Sequence, residues 1–99
     1  MSAYRKGRRA ENYIKQLLIA KGFSWIMRSA QSRGGCDLLA SNGSGTILGV
    51  QVKCDGSAFS PKEIRKLVEW ANSFLATPVK AYLKNGRWIL ETVEGTKVI

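Results

Sequence analysis

Three polar residues in the middle of the chain have the types and spacing to hold a divalent cation and a phosphate. Asp37 begins a short apolar segment, and Gln51 and Lys53 stand two residues apart in a second one. Because the side chains of a strand alternate between its two faces, Gln51 and Lys53 must share a face. The opposite face of that strand is apolar and consists of Leu48, Val50, Val52 and Cys54. A carboxylate, an amide oxygen and an ammonium are groups suited to metal-dependent chemistry on a phosphate.

The surrounding sequence predicts a hairpin that brings the three residues together. Asp37 starts the first strand, residues 42–45 form the turn, and residues 47–54 form the second strand. Pairing of these strands would place Asp37 beside Gln51 and Lys53. The chemistry expected there is hydrolysis of a phosphodiester, which needs a cation, an oriented water and a compensating positive charge.

Each residue of this hairpin has an expected role. Asp37 would anchor a hard cation such as Mg²⁺, which prefers oxygen ligands. The amide oxygen of Gln51 and the backbone carbonyl of Val52 could add further ligands. Lys53 would direct its ammonium at the attacking water or at a non-bridging phosphate oxygen.

A helix is predicted before the hairpin, over residues 5–21, and it carries a further carboxylate. Its apolar pattern consists of Ala10, Ile14, Leu17 and Leu18, with Lys21 at the same spacing and Gly22 as the stop. On a helical wheel Glu11 lies about 60° from Ile14, at the shoulder of the buried stripe. Two interpretations are open. Glu11 either reaches the edge of the site, completing it through a metal-bound water, or lies on the surface and pairs with Arg8 or Lys15.

The remaining patterns complete an α/β domain. Residues 23–28 predict a first strand, and Ser60 to Glu63 is a capping box that starts a second helix. Asn85-Gly86 predicts a tight hairpin between strands at 79–84 and 87–93. The order is helix, three strands, helix and two strands, so residues 1–99 are predicted to form one domain, a central mixed sheet flanked by two helices.

The second helix has its own predicted apolar stripe, after which Thr77-Pro78 should end it. The residues of that stripe are Ile64, Leu67, Val68, Ala71, Phe74 and Leu75.

The charge balance indicates a nucleic-acid partner. Sixteen Lys and Arg against seven Asp and Glu give a formal charge of +9 in 99 residues. A generally solubilising surface or a ribosome-associated domain would have a similar composition. The chain has no histidine, which excludes His-dependent catalysis and His-liganded metals. No apolar run approaches the roughly 20 residues of a membrane span, and we expect a cytoplasmic protein without a membrane partner.

The motif resembles that of the PD-(D/E)XK nuclease superfamily, through Asp37 followed by Gln51-Val52-Lys53. The opening RKGRRAE…LL…KGF and the order of elements are similar to the archaeal-type Holliday junction resolvases. This resemblance implies a restriction-endonuclease-like fold. It also implies an endonuclease dependent on Mg²⁺, or Mn²⁺, that resolves four-way DNA junctions by paired symmetric hydrolysis. The catalytic residues it implies are Glu11, Asp37, Gln51 and Lys53.

The resemblance also implies how the protein meets its substrate, branched double-stranded DNA. A serine after the first strand should approach the phosphate, and either Ser29 or Ser32 could match. The chain should form a two-fold homodimer, which is the commonest oligomer type. The residues expected to contact phosphates are Arg5, Lys6, Arg8, Arg9, Lys15, Arg28 and Arg33.

Two positions depart from the family's motif. Cys36 stands where the motif's name has proline, and Gln51 stands where most members have an acidic residue. The second change removes a negative charge and should weaken metal binding. It leaves two alternatives open: a restriction-type or repair endonuclease of the same superfamily, and a basic DNA-binding module with a vestigial site. We expect the protein in the nucleoid or in the cytoplasm of a viral host.

Overall fold

A five-stranded mixed sheet carries one helix on each of its faces. The structure, a computed structural model, describes the backbone of residues 3–28, 36–53 and 58–98 and the side chains of residues 9–28, 38–53 and 58–98. The elements are α1 (Ala3–Ala20), β1 (Trp25–Arg28), β2 (Cys36–Ser41), β3 (Ile47–Lys53), α2 (Pro61–Ser73), β4 (Thr77–Lys84) and β5 (Arg87–Thr92). This order is the predicted one, and the predicted fold class is confirmed.

The strand directions bring one end of each of the five strands to the same end of the sheet. The strands lie in the order β1-β2-β3-β4-β5, and β3 pairs in parallel with β4 while every other pair is antiparallel. Helix α2 connects the parallel pair, because parallel neighbours need a crossover. One end of the sheet therefore carries Arg28, Asp37, Lys53, Lys84 and Arg87, and we call it the Asp37 end.

The hydrophobic core lies between α1 and one face of the sheet, which we call the α1 face. Its buried members are Ala10, Ile14 and Leu18 of the helix and Leu38, Ala40, Leu48, Val50, Val52, Val79, Ala81 and Leu90 of the strands. The helix residues repeat at intervals of four, as the apolar pattern predicted. The alternate residues of the central strands, among them Gly49, Gln51 and Lys53, lie on the opposite face, which we call the α2 face.

Helix α2 packs closely on β3 at Gly49. An added Cβ at this glycine would lie 2.9 Å from the Ala71 Cβ and 3.1 Å from a ring carbon of Trp70. The absence of a side chain at residue 49 therefore lets the helix approach the strand.

The predicted capping box begins α2, but its predicted apolar stripe is too long. Ser60 Oγ accepts from the Glu63 N–H, and Glu63 Oε1 accepts from the Ser60 N–H at 2.9 Å. The helix ends at Ser73, so Phe74 and Leu75 leave the helical face and are 47% and 91% exposed. Their spacing matches the helical period, but the helix ends before them, so their side chains do not extend its buried stripe.

The β4–β5 hairpin has the predicted Asn-Gly turn. Asn85 and Gly86 both have positive φ, at 53° and 74°, as a type I′ turn requires. Strand β4 begins at Thr77, two residues earlier than predicted, and includes Pro78. None of the helices in the described ranges combines the length and the apolar character needed to span a membrane.

Candidate active site

The β2–β3 ladder places Asp37 directly opposite Gln51. The register pairs Cys36 with Val52 and Asp37 with Gln51. Residues paired across neighbouring strands occupy the same face, so positions 37, 51 and 53 all lie on the α2 face at the Asp37 end. This is the arrangement that the predicted hairpin required. The catalytic roles of these residues stay predictions.

The amide oxygen of Gln51 is buried without a hydrogen-bond partner. Among the described residues nothing donates to Gln51 Oε1, although its exposed area is negligible. A buried acceptor left without a donor costs about 1–3 kcal/mol, so this oxygen is suited to a water or a cation. The apolar side chain of neighbouring Val52 is buried in the core. The possible ligand at this residue is its backbone carbonyl.

The first turn of α2 holds the ammonium of Lys53. Its Nζ donates to Glu63 Oε1 at 2.8 Å and to the backbone oxygen of Ala58 at 2.9 Å. The Phe59 ring centroid lies 5.4 Å from the same nitrogen. Fixing a lysine side chain costs considerable rotamer entropy. Because these contacts already hold the Lys53 side chain in place, they preorganise its ammonium. The local sequence pattern identifies Glu63 only as part of the capping box, and no signal in it points to this second contact.

Glu63 makes the stability of the fold dependent on pH. The Lys53 ammonium, helped by the Ser60 backbone N–H, holds the pKa of the Glu63 carboxyl below its usual value of 4.5. A carboxyl with a lowered pKa stabilises the fold above its unfolded-state pKa, and that contribution is lost as the pH falls through the folded-state value.

We therefore expect Glu63→Gln to lower the melting temperature at pH 7 and to have a smaller effect at pH 3. The amide keeps an acceptor for the Ser60 N–H, as capping boxes with Gln do, and removes only the charge. The side chain is 36% exposed, so the pair should contribute at most about 1 kcal/mol. Thermal unfolding at both pH values tests this, and an equal difference at both would contradict it.

Glu11 is buried on the other side of the sheet. It is 8% exposed, and its Oε1 lies 3.3 Å from the Nε of Arg28. The interpretation of Glu11 as a surface residue is therefore wrong. Its position at the edge of the buried stripe of α1 brings its side chain against β1. Its second oxygen, Oε2, is buried and has no hydrogen-bond partner among the described residues.

The candidate residues gather at one end of the sheet but approach it from two faces. Arg28, the partner of Glu11, pairs with Leu38 on the α1 face, one residue from Asp37. Gln51 and Lys53 lie on the α2 face. The side chains that the structure describes form no group of three or more His, Cys, Asp or Glu that could hold a metal. Two buried oxygens at this end, Glu11 Oε2 and Gln51 Oε1, have no partner among the described side chains and are of the hard-oxygen type that Mg²⁺ prefers.

A polar row continues from Asp37 and Gln51 across the rest of the sheet. Gln51 pairs with Lys80 of β4, which in turn pairs with Glu91 of β5. Lys80 Nζ lies 3.4 Å from Glu91 Oε1, which also accepts from the Tyr82 hydroxyl at 2.7 Å. This hydrogen bond to a carboxylate raises the pKa of Tyr82. This row could not be predicted from the sequence. Polar and apolar residues alternate along β4, but the sequence does not show that β4 pairs with β3.

The predicted DNA-contacting residues fall into three groups. Arg9 and Lys15 are exposed on α1, and Arg28 is half exposed beside Glu11. Arg5, Lys6 and Arg8 lie on α1, where the structure describes only their backbone. Ser29, Ser32 and Arg33 lie outside the described residues.

Comparison with known proteins agrees with this arrangement. The family model of the archaeal Holliday junction resolvases (Hjc) matches residues 2–96. Among solved structures, Archaeoglobus fulgidus Hjc, a Holliday junction resolvase from an archaeal hyperthermophile, has a TM-score of 0.71 and 29% sequence identity with this chain. That similarity covers 90% of this chain and 74% of the other.

The fold and the site together define a nuclease of the PD-(D/E)XK superfamily. Its marks are a helix with a buried glutamate, an antiparallel three-strand unit carrying Asp37 and Gln51-Val52-Lys53, and a helical crossover to a parallel strand. Within that superfamily the chain belongs to the archaeal Holliday junction resolvase family. The predicted family and the predicted function class, a junction-specific endonuclease, are confirmed. Metal dependence is typical of this family.

Proposed function

We propose that this protein is a Mg²⁺-dependent endonuclease that resolves four-way DNA junctions by paired symmetric cuts. The observation that carries the proposal is the pairing of Asp37 with Gln51, two residues from Lys53. The buried amide oxygen of Gln51 has no donor among the residues that the structure describes. Mn²⁺ should replace Mg²⁺, because both accept oxygen ligands.

Each residue of the site has a separate role in the proposed hydrolysis. Bound Mg²⁺ would neutralise charge on the scissile phosphate and acidify a water. Asp37, the Gln51 amide oxygen and the Val52 carbonyl would hold the cation. Glu11, which lies at the same end of the sheet but on its other face, would join them through a metal-bound water. Lys53 donates a hydrogen bond to a non-bridging phosphate oxygen, where it compensates developing negative charge.

Charge and exposure support the proposed substrate and the proposed assembly. Basic residues of α1, together with Arg28 and Arg33, contact phosphates, and Ser29 or Ser32 joins them. The chain acts as one nuclease domain in a two-fold homodimer, so that each protomer cuts one strand. Trp25 and Met27 on the edge strand β1 are 70% and 66% exposed and supply apolar surface for such an interface. We place the protein in the nucleoid or in the cytoplasm of a viral host.

One experiment tests the activity against its alternatives. The protein is incubated with a synthetic four-way junction, a linear duplex and a flap, in Mg²⁺ and in EDTA. We expect symmetric nicks confined to the junction, in Mg²⁺ alone. Cutting of the linear duplex would instead indicate a restriction-type or repair nuclease. Tight binding of the junction without cutting would indicate a DNA-binding module with a vestigial site.

Gln51→Glu should keep the activity and lower the Mg²⁺ concentration needed for half-maximal cleavage. The change restores an anionic ligand at a position whose amide oxygen is buried and has no hydrogen-bond partner in the described part of the chain. A Mg²⁺ titration of wild type and variant measures the effect. Gln51→Leu is the control, since it should raise the required Mg²⁺ concentration. A large loss of cleavage in Gln51→Glu would mean that the amide is needed as a hydrogen-bond donor.

A further inference from the structure

The β4–β5 hairpin forms an open cleft that sequence analysis did not consider. It has a volume of about 560 Å³ and lies where β4 ends and β5 begins. The residues lining it are Lys84, Asn85, Arg87, Trp88, Ile89 and Lys97. Half of these residues are cations, and none is acidic.

The three cations of the cleft are not neutralised by ion pairs within the described part of the chain. Lys84, Arg87 and Lys97 are exposed. The ion pairs among the described residues are formed by Arg28, Lys53 and Lys80. Glu91, the acidic residue of β5, is paired with Lys80. Lys84 and Arg87 face each other across the turn, so their charges add at one place. Such a concentration of positive charge favours an anionic partner.

The cleft lies at the Asp37 end, close to the candidate active site. Lys53 pairs with Tyr82 on the parallel neighbour β4, and Lys84 follows two residues further along. With strands about 4.8 Å apart and a rise of about 3.3 Å per residue, the Cα atoms of Lys53 and Lys84 are roughly 8 Å apart. A DNA backbone that reaches Lys53 can therefore continue onto the hairpin.

One wall of the cleft is attached to α1. The rings of Trp88 and Tyr13 have centroids 6.5 Å apart with an interplanar angle of 34°. This contact, on the α1 face, fixes the hairpin relative to the helix that carries Arg9 and Lys15. The hairpin cations and the helix cations are thus carried by two elements in direct contact.

We propose that the hairpin cleft binds the phosphodiester backbone of a DNA arm beside the cut site. The inference rests on the proposed function, and it adds a contact surface to the one predicted on α1 and the following loop. The cations position the arm without reading its bases, because phosphate contacts carry no sequence information. Binding at the cleft should therefore be independent of sequence and sensitive to salt.

The test compares Lys84→Ala with Lys21→Ala. Both variants remove one exposed lysine, but Lys21 follows α1 at the opposite end of the sheet. Dissociation constants for a four-way junction are measured in EDTA, across a series of salt concentrations. We expect Lys84→Ala to raise the dissociation constant about 3- to 10-fold at moderate salt and to reduce the salt slope by roughly one. Lys21→Ala should change the dissociation constant less than twofold.

A double variant, Lys84→Ala with Arg87→Ala, should enlarge both effects while Asn85-Gly86 preserves the turn. Circular dichroism melting verifies that it folds. The inference is overturned if Lys84→Ala binds the junction no more weakly than Lys21→Ala, or if the salt slope of the double variant equals that of wild type. Because binding is measured without metal, this outcome is separate from a failure of cleavage, which would overturn the proposed function.

Discussion

Lys53→Ala is expected to reduce junction cleavage at least about 100-fold while leaving junction affinity nearly unchanged. In the proposed mechanism the ammonium stabilises charge that develops only in the transition state, and removing one such donor typically costs about 10²- to 10³-fold. We expect many other phosphate contacts to supply the affinity, so the loss of one should be small. Single-turnover cleavage and metal-free binding of the same junction measure the two quantities.

Asp37→Asn should have the same phenotype for a different reason. The amide has the size of the carboxylate but lacks the charge that we propose anchors the cation, so cleavage should be lost while the protein still folds and binds junctions. Unlike the lysine variant, it should regain some cleavage at high Mn²⁺, which binds neutral ligands more readily than Mg²⁺ does.

Glu63→Gln is the matched control for the lysine variant. It removes the same ion pair but keeps the ammonium, so it should retain most of the activity. Equal losses in Lys53→Ala and Glu63→Gln would mean that the ion pair is what matters for cleavage. If Lys53→Ala or Asp37→Asn cuts at the wild-type rate, our assignment of the site is wrong.

Gly49→Ala is expected to destabilise the fold by about 1–3 kcal/mol, the usual cost of overpacking a core. Local preference alone predicts the opposite sign, since glycine within a strand is unfavourable by roughly 0.5–1 kcal/mol relative to alanine. The new Cβ would lie 2.9 Å from the Ala71 Cβ, and the helix backbone behind it cannot easily move away. Urea unfolding at equilibrium measures the change.

The double variant Gly49→Ala with Ala71→Gly tests the cause. Ala71→Gly alone should cost about 1 kcal/mol because glycine is a poor helix residue. If the two Cβ atoms collide, the double variant should be more stable than the sum of the two single effects predicts. Additive effects would show that Gly49→Ala acts through something other than contact with Ala71.

The architecture was predictable because its elements have local signatures. The capping box at Ser60, the Asn85-Gly86 turn and the four-residue spacing of Ala10, Ile14 and Leu18 each depend on neighbours within a few residues. Strand parity likewise placed Gln51 and Lys53 on one face, and a short hairpin paired Asp37 with them. The end of α2 was less predictable, since the apolar spacing continues through Phe74 although the helix does not.

The partners of the site residues were decided by tertiary structure. Glu63 reaches Lys53 from the first turn of α2, and Arg28 of β1 reaches Glu11 of α1. Lys80 lies beside Gln51 through the parallel pairing of β3 with β4. None of these contacts follows from a local pattern, because each depends on where a helix crosses the sheet and which strands then become neighbours. The residue types at the site can be recognised in the sequence, whereas the contacts that orient them exist only once the sheet is assembled.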